Sequence, residues 1–489
     1  MSILNENYLC NLENSMNIFD VLASSYTEIC MLIPEKELVN FDEIRAAYIT
    51  SQIRHYLGEY AIGFDEYMQI ITFLVDEFKE NEFTYCDHYA IILAIDNCLS
   101  DVDLYSSDVY SGMQTISYCL NLNYQITNVF VYPIYKDSVM NSVNYAVKRE
   151  TGKCFRKNRE VDKLELFNII LCEKEMLKGY KIEFRTVSYN KEFKDVVTQN
   201  KKLTYAVIPY TSSDLSTWKE IHEKGMVFYL NDLENEKYKS DYLSYIKKIL
   251  SQNFEIIILP EMILTKGIVE QLSETIRSVK MKKACLIIAG TLSNDMHNHC
   301  FVFDHNGNLL IKQHKQTPFD YRGKKEYLEA DKTIKILDVI GIGRIAFFIC
   351  KDMVNLDLNY IVGLLKIDII IVPAFSPSLD LKSTSEQISR EFNLIVIMAN
   401  CCAALTKKDK TGGLRKIGYV CSPAIEQGAR EYHTQYYTGL CKKNCNSCVP
   451  RVMEFSINEV MKLGEMVTCS ILLRNCSTVC YNKAVKCIQ

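Results

Sequence analysis

The sequence predicts an α/β protein in which a mainly helical N-terminal module precedes a larger domain of alternating strands and helices. From about residue 226, short β-branched or aromatic runs alternate with amphipathic segments. In residues 1–150, apolar residues recur every three or four positions and only Pro34 and Pro133 interrupt the chain, so long helices are permitted. The chain has 489 residues, more than one hydrophobic core usually supports, so we expect two or more domains.

The N-terminal module is predicted from amphipathic segments and apolar-rich windows, which lie at 15–33, 41–56, 64–78, 86–99 and 108–120. Its apolar stripes exceed what one small core needs, and no catalytic constellation appears there. We therefore expect it to mediate contacts. The isolated histidines His55, His88 and His222 are interpreted as surface or satisfied core residues.

The segment 151–225 is predicted to be a small α/β unit or a connector. Between 126 and 225, strand-like runs lie at 129–133, 181–187 and 205–209, and 161–178 has helical spacing. The densest basic run is 147–159, which is typical of a solvated face, although contact with phosphate or nucleic acid is an alternative.

The segment 226–460 is predicted to be one α/β domain. Its predicted strands lie near 255–259, 285–290, 300–304, 308–313, 333–338, 344–349, 368–373 and 394–399, and its predicted helices near 238–251, 266–280, 357–366 and 383–392. Asn306-Gly307 predicts a hairpin turn between two of these strands.

Three ionisable residues each follow a predicted strand. Glu261 ends an apolar run that closes in Pro260-Glu261, Lys315 follows 308–313, and Cys350 follows 344–349. A thiol at a strand end before a helix is a good position for a nucleophile, although a buried inert cysteine is the commoner meaning of a single Cys. A thiol near pKa 8.5 needs a base and nearby positive charge at neutral pH, and a carboxylate and an ammonium would supply them.

In this order and spacing, Glu261, Lys315 and Cys350 resemble the Glu-Lys-Cys triad of the nitrilase superfamily of carbon–nitrogen hydrolases. Asp352, two residues after the cysteine, and the helix and strand signals that end at Asn400 extend the resemblance over about 226–460. The resemblance implies a four-layer α-β-β-α sandwich, no cofactor, a small amide or nitrile substrate and a homo-oligomer.

The resemblance also implies roles for single residues. Glu261 would accept the proton of Cys350, which attacks an amide, nitrile or carbamoyl carbon, while Lys315 and the backbone N–H of Lys351 stabilise the negative charge. A second glutamate is implied between the lysine and the cysteine, and we prefer Glu326 to Glu329. Three other lysines compete with Lys315 for its role, namely Lys312, Lys324 and Lys325. The alternative is a catalytically silent scaffold with this fold.

Composition limits the other function classes. The formal charge of −4 gives no global reason to expect binding to nucleic acid or a membrane surface. The first residues show no basic region followed by a long apolar run, so we expect a cytoplasmic protein. In that compartment the 20 cysteines are expected to be reduced thiols.

The C-terminal residues, with 461–489 as a Cys-rich tail, are dense in cysteine. The spacing of Cys441, Cys445 and Cys448 could ligate zinc, with Cys421 or His433 as a fourth ligand. It also matches some iron–sulfur enzymes, although free loop cysteines are the commoner case.

The layout also resembles the C-terminal half of nitrilase-like proteins that are fused to reverse transcriptases in anti-phage defence. The polymerase signature, an aromatic residue followed by x-Asp-Asp, is absent from the sequence. A defence role is therefore kept as an alternative.

Overall fold

The computed structural model describes 8–10, 12–13, 18–32, 43–57, 64–81, 83–101, 129–133, 169–187, 202–210, 216–221, 225–230, 236–252, 254–280, 286–294, 296–321, 324–329, 331–339, 343–376, 381–392, 394–401, 415–426, 429–439, 451–456 and 472–473. The chain forms two compact units. One comprises Met1–Lys136 and Gly152–Gly179, and the other Asp137–Thr151 and Tyr180–Gln489. We call them the helical unit and the sandwich.

The longer described elements of the helical unit are four α-helices and one pair of strands. These are α1 (Ile18–Leu32), α2 (Glu43–Leu57), α3 (Phe64–Glu80), α4 (Tyr85–Asp101), β1 (Val129–Pro133) and β2 (Ile169–Glu173). The four helices confirm the predicted periodicities, and their apolar faces share one core with Tyr8 and Leu12. The predicted window 108–120 lies outside the described residues.

The sandwich contains the remaining elements. Its strands are β3 (Lys181–Val187), β4 (Lys202–Val207), β5 (Ser216–Ile221), β6 (Gly225–Leu230), β7 (Ile256–Ile258), β8 (Leu286–Asn294), β9 (His297–Asp304), β10 (Leu309–His314), β11 (Asp320–Tyr321), β12 (Lys324–Lys325), β13 (Thr333–Val339), β14 (Gly343–Phe347), β15 (Ile369–Ala374), β16 (Ile395–Asn400), β17 (Arg415–Glu426), β18 (Ala429–Gly439), β19 (Arg451–Ser456) and β20 (Leu472–Leu473). Its described helices are α5 (Glu236–Leu250), α6 (Lys266–Ser278), α7 (Leu356–Leu364) and α8 (Lys382–Phe392).

Two seven-stranded sheets form the centre of the sandwich. The first has the order β10-β9-β8-β7-β4-β19-β20, and the second has the order β18-β17-β16-β15-β14-β13-β3. Strand β7 is parallel to β4 and β8, and β15 is parallel to β14 and β16. The expected four-layer α-β-β-α fold is thus present.

Successive side chains of a strand point to opposite faces of the sheet, which explains how helices pack on one face of each sheet of the sandwich. In the first sheet, Ile257, Ile287 and Phe301 pack with the apolar faces of α5 and α6. Their neighbours in sequence, such as Ile256 and Ile258, are also buried, so the strand is apolar on both faces, as expected for a sheet covered on both sides. Each fully buried side chain of this kind contributes about 1.5–3 kcal/mol relative to exposure.

Hydrogen bonds join the two sheets at β10. The Gln313 side chain donates to the Thr333 carbonyl oxygen at 3.0 Å and accepts from the Lys335 N–H at 2.8 Å, both on β13 of the second sheet. Arg185 on β3 donates to the carbonyl oxygens of Leu309 and Leu310 at 2.9 and 2.8 Å. These contacts fix the end of β10, which leads directly into Lys315.

The predicted hairpin turn at Asn306-Gly307 is confirmed. Gly307 has φ +73°, a conformation that glycine adopts without strain, and its N–H donates to the Asp304 carbonyl oxygen at 3.1 Å. The Asp304 carboxylate also accepts from the N–H groups of Asn306 and Asn308, both at 2.8 Å. The turn therefore sets the register of β9 and β10.

Two predictions about 151–225 need correction. The helical spacing at 161–178 is misleading, because Ile169–Glu173 pairs with β1 as a strand and a short 3₁₀ helix, Lys174–Leu177, follows it. In addition, β3 and β4 belong to the two large sheets, so the sandwich begins before residue 226. A parallel edge strand finds its partner across a long sequence separation, and local periodicity does not show it.

Candidate active site

The three predicted site residues come from both sheets. Glu261 follows β7 and Lys315 follows β10 in the first sheet, whereas Cys350 follows β14 in the second. All three are buried, with 3%, 3% and 5% of their surface exposed, respectively. The interior between the two sheets therefore holds an acid, an amine and a thiol.

Lys315 lies between two carboxylates. Its Nζ atom donates to Glu261 Oε1 at 2.9 Å and to Glu326 Oε2 at 2.8 Å, and Glu326 is 4% exposed. Glu326 directly follows the small β11–β12 hairpin, and its carboxylate also accepts from the Phe319 N–H at 2.9 Å. Buried charges of this kind are stable only when they are paired and hydrogen-bonded, and here both conditions are met.

Glu261 is held by groups from two further segments. Asn298 on β9 donates its side-chain amide to Glu261 Oε1 at 2.8 Å, and the Phe375 N–H after β15 donates to Oε2 at 2.9 Å. These donors fix the orientation of the carboxylate.

The turn around Glu261 depends on a bulge in β8. The pairing of β8 with β9 shifts between Ile288 and Thr291, and Gly290 there has φ +92°. A Cβ atom at Gly290 would collide with the Pro260 carbonyl oxygen, so the close approach requires glycine. Thr291 then accepts from the Met262 N–H through its hydroxyl at 3.0 Å.

Cys350 lies on a sharp turn. It begins the 3₁₀ helix Cys350–Val354 and has φ +48°, a conformation uncommon for a residue with a Cβ atom. Such strain occurs where the surrounding structure holds a side chain in a required direction.

Asp352 supplies that support. Its carboxylate accepts from the Ile349 N–H at 3.0 Å, the Gln316 N–H at 3.0 Å and the Thr317 N–H at 2.7 Å. It thus ties the turn that carries Cys350 to the residues just after Lys315. Burial raises the pKa of Asp352 to about 7, while the backbone N–H groups and Lys315 act in the opposite direction.

The pKa values of the thiol and the amine are both raised. Burial is the main cause for Cys350, the Glu261 carboxylate adds to it, and Lys315 and the Phe375 N–H oppose it. For Lys315, burial alone would lower the pKa, but Glu261 and Glu326 raise it well above its usual value. At neutral pH the site therefore holds a protonated thiol beside a charged ammonium, and the thiol needs a base to react.

The structure distinguishes between the alternative lysines and the alternative glutamates that the sequence analysis left open. Lys312 is exposed, with its Nζ atom 6.0 Å from the centre of the Phe301 ring, and Lys325 is also exposed. The side chain of Lys324 lies outside those that the structure describes. Among the described candidates, Lys315 is the buried lysine that contacts the glutamates. Glu326 contacts Lys315, whereas Glu329 lies with its Oε2 atom 3.1 Å from His297 Nε2. Lys351 directly follows Cys350, and its N–H stays a predicted donor to the substrate.

Sequence reasoning missed Asn298 and Phe375 and assigned no role to Asp352 beyond its place in the motif. The two donors lie 37 and 114 residues from Glu261 in the chain, so no local spacing points to them. The position of Asp352 two residues after Cys350 was visible, but its hydrogen bonds to residues 35 and 36 positions away were not.

Comparison with known proteins identifies this domain. Residues 231–432 match the family model for carbon-nitrogen hydrolases. The C-terminal half of this chain contains a nitrilase-superfamily domain. Hydrolases of this superfamily generally need no cofactor, in agreement with the sequence prediction.

The chain is similar to three solved structures, among others. A mutant of the amidase from Nesterenkonia sp. AN1 has 11% identity and a TM-score of 0.29, covering 40% of this chain and 78% of its own. Nit3 from Saccharomyces cerevisiae has 15% identity and a TM-score of 0.32, covering 48% and 89%. A carbon-nitrogen hydrolase from Helicobacter pylori G27 has 12% identity and a TM-score of 0.35, covering 54% and 92%.

The search of curated proteins found no match. Neither the family match nor the three structures bear on the defence role, the homo-oligomer or the nucleic-acid contact through 147–159, which stay predictions. Cys441, Cys445, Cys448 and His433 lie outside the residues whose side chains the structure describes. Among the described helices, none is both long enough and apolar enough to cross a lipid bilayer.

Proposed function

We propose that this chain hydrolyses the carbon–nitrogen bond of a small amide, nitrile or carbamoyl compound through a thioester on Cys350. The observation that carries the proposal is the buried cluster in which Lys315 bonds both Glu261 and Glu326 beside the thiol. Burying one ammonium and two carboxylates costs desolvation free energy, and clusters of buried ionisable groups of this kind are typical of catalytic sites.

In the first step, Glu261 accepts the thiol proton as Sγ forms a bond to the substrate carbon. The raised pKa of Cys350 makes this transfer necessary, because little thiolate exists at rest. Negative charge develops on the substrate oxygen, where Lys315 and the Lys351 N–H would stabilise it. Each well-placed donor contributes about 3–4 kcal/mol in comparable sites.

In the second step, for an amide, the carbon–nitrogen bond breaks and the amine leaves with the proton from Glu261. A water molecule then attacks the thioester while Glu261 accepts one of its protons. The carbon–sulfur bond breaks, the acid is released, and the proton returns to Cys350. Glu326 positions Lys315 throughout, because its carboxylate accepts a second hydrogen bond from the amine at 2.8 Å.

The test is intact mass spectrometry of the full chain after incubation with amides, nitriles and carbamoyl compounds. We expect an added acyl mass on Cys350 with at least one substrate class, and loss of both adduct and turnover in Cys350→Ala. Cys300→Ala, a change at another buried cysteine of the same domain, is the matched control and should retain the adduct. No adduct from any class would favour the scaffold alternative.

A second variant tests whether Glu261 is the base. Glu261→Gln should lower turnover by at least about 100-fold, because no group accepts the thiol proton. Alkylation of the thiol by iodoacetamide at neutral pH depends on the same proton transfer, because burial keeps the pKa of Cys350 raised, so Glu261→Gln should also slow alkylation of Cys350. If Glu261→Gln leaves turnover unchanged, Glu261 is not the base.

A further inference from the structure

Three histidines lie on one face of the β9–β10 hairpin. His297 and His299 are two positions apart on β9, so their side chains point to the same side of the sheet. His314 on β10 is the direct cross-strand partner of His299 and therefore shares that face. One candidate ligand atom from each of these rings lies within 4.8 Å of those of the other two.

The hydrogen bonds of His314 leave one nitrogen for a ligand. Its Nε2 atom lies 2.9 Å from the Glu329 carbonyl oxygen, so Nε2 carries the proton and donates. Its Nδ1 atom is buried and has no hydrogen-bond partner among the described residues. A histidine that donates one ring N–H to a backbone carbonyl and offers the other nitrogen is the usual arrangement of a metal ligand.

The surroundings of the cluster add an oxygen donor. Glu329 Oε2 lies 3.1 Å from His297 Nε2, and the two side chains are 58% and 42% exposed, respectively. A carboxylate is therefore available as a ligand beside the three imidazoles.

We propose that His297, His299 and His314, with the Glu329 carboxylate as the fourth ligand, bind one divalent transition-metal ion of the zinc type. Three imidazoles and one carboxylate match the ligand preference of zinc. Zn–N bonds of about 2.0–2.1 Å place tetrahedral ligands about 3.4 Å apart, so side-chain rotation of the partly exposed His297 and Glu329 would close the site.

This metal site would lie on the opposite face of the first sheet from the candidate active site. Asn298, between His297 and His299, points to the opposite face and donates to Glu261, and its carbonyl oxygen accepts from the Lys315 N–H at 2.8 Å. Lys315 itself follows His314. A bound ion therefore fixes the segments that carry Asn298 and Lys315 without taking part in the reaction, and its presence does not depend on the proposed hydrolase activity.

The test measures metal binding to the full chain in which Cys441, Cys445 and Cys448 are replaced by Ser, because the tail is a separate candidate zinc site. After chelator treatment and dialysis against Zn²⁺, we expect about one equivalent per chain by elemental analysis. Co²⁺ in place of Zn²⁺ should give the visible absorption of a tetrahedral site. The Tm should rise on addition of Zn²⁺, since the ion binds only the folded state.

The variants identify the ligands. In the same background, His299→Ala and His314→Ala should each lower retained zinc to below about a tenth of an equivalent and abolish the Co²⁺ absorption. His305→Ala, a histidine in the turn between the same strands, should bind as the parent does. The proposal is overturned if the parent binds less than a tenth of an equivalent, or if both ligand variants bind as the parent does while remaining folded by circular dichroism.

Discussion

In the sandwich, the ammonium of Lys315 is buried between two carboxylates, whereas in the helical unit the imidazole of His88 is buried among aromatic rings. Lys315 has a raised pKa because Glu261 and Glu326 outweigh burial, so it stays charged. His88 is 2% exposed, its Nδ1 atom has no partner among the described residues, and burial lowers its pKa to about 3, so it stays neutral.

The difference shows two ways in which a fold accommodates an ionisable group whose charged form is disfavoured by burial. A buried group keeps its charge only if the fold supplies opposite charge and hydrogen bonds, as at Lys315; otherwise it loses the charge, as at His88. The first solution makes the fold depend on each partner and provides a charged site for chemistry. The second makes the stability of the fold depend on pH.

The largest loss of stability and turnover is expected from removing the charge at Lys315. Lys315→Met leaves Glu261 and Glu326 buried without their common partner, which should lower the free energy of unfolding by about 3–5 kcal/mol and abolish turnover. Urea unfolding followed by circular dichroism measures the first effect. The matched control is Lys312→Met on β10, the strand that Lys315 follows, where an exposed ammonium near the Phe301 ring contributes at most about 1 kcal/mol.

A double variant tests the cause of that loss. Adding Glu326→Gln to Lys315→Met removes one stranded carboxylate, so the double variant should be more stable than Lys315→Met alone. Equal stability of the two would mean that the loss comes from packing rather than from unpaired charge.

A smaller effect is expected at the bulge behind Glu261. Gly290→Ala places a Cβ atom against the Pro260 carbonyl oxygen at φ +92°, which should cost about 1–3 kcal/mol and reduce turnover by displacing Glu261. Gly267→Ala in α6 is the control, because its Cβ atom would meet the flexible Lys239 side chain at 3.4 Å. That change should stabilise the protein by up to about 1 kcal/mol. A loss in Gly267→Ala as large as that in Gly290→Ala would contradict this account of the bulge.

The regular part of the sandwich could be predicted from the sequence. The segments found at Ile256–Ile258, Ile369–Ala374 and Ile395–Asn400 are short β-branched runs that end in Pro, Asn or small residues, so composition alone indicates buried strands. Prediction failed at Ile169–Glu173, where the charged residues that follow extend an apolar run into an apparent helical pattern. The deciding interaction there is the pairing with β1, about 40 residues earlier in the chain.

The candidate site was predictable in its ionisable residues but not in its supports. Glu261, Lys315 and Cys350 each follow a strand, a position visible in the sequence. The choice of Lys315 over Lys312 follows from the hydrogen bonds to two glutamates. The roles of Asn298 and Phe375 follow from strand neighbours that only the folded sheets bring together.

The smallest effect at neutral pH is expected in the helical unit. The His88 ring packs edge-on against Tyr8, with ring centres 4.5 Å apart, and lies 5.7 Å from the Phe83 ring. The pKa of His88 is about 3 in the folded state and near 6.5 in the unfolded chain, so the unfolded state binds the proton first as the pH falls. Stability from this group is therefore complete above pH 6.5 and is lost at about 1.4 kcal/mol per pH unit below it.

The variant His88→Phe should remove that pH dependence while preserving the aromatic contacts. We expect its free energy of unfolding at pH 7 to be equal to or above that of the parent, because the unpaired Nδ1 atom is gone. Between pH 6.5 and 4.5 its stability should decline less steeply than the parent's, by the 1.4 kcal/mol per unit given above. Urea unfolding of the full chain at four pH values, monitored by circular dichroism, measures the difference. His55→Phe, which changes an exposed histidine on α2, should retain the parental slope, and a parental slope in His88→Phe would show that another group titrates in this range.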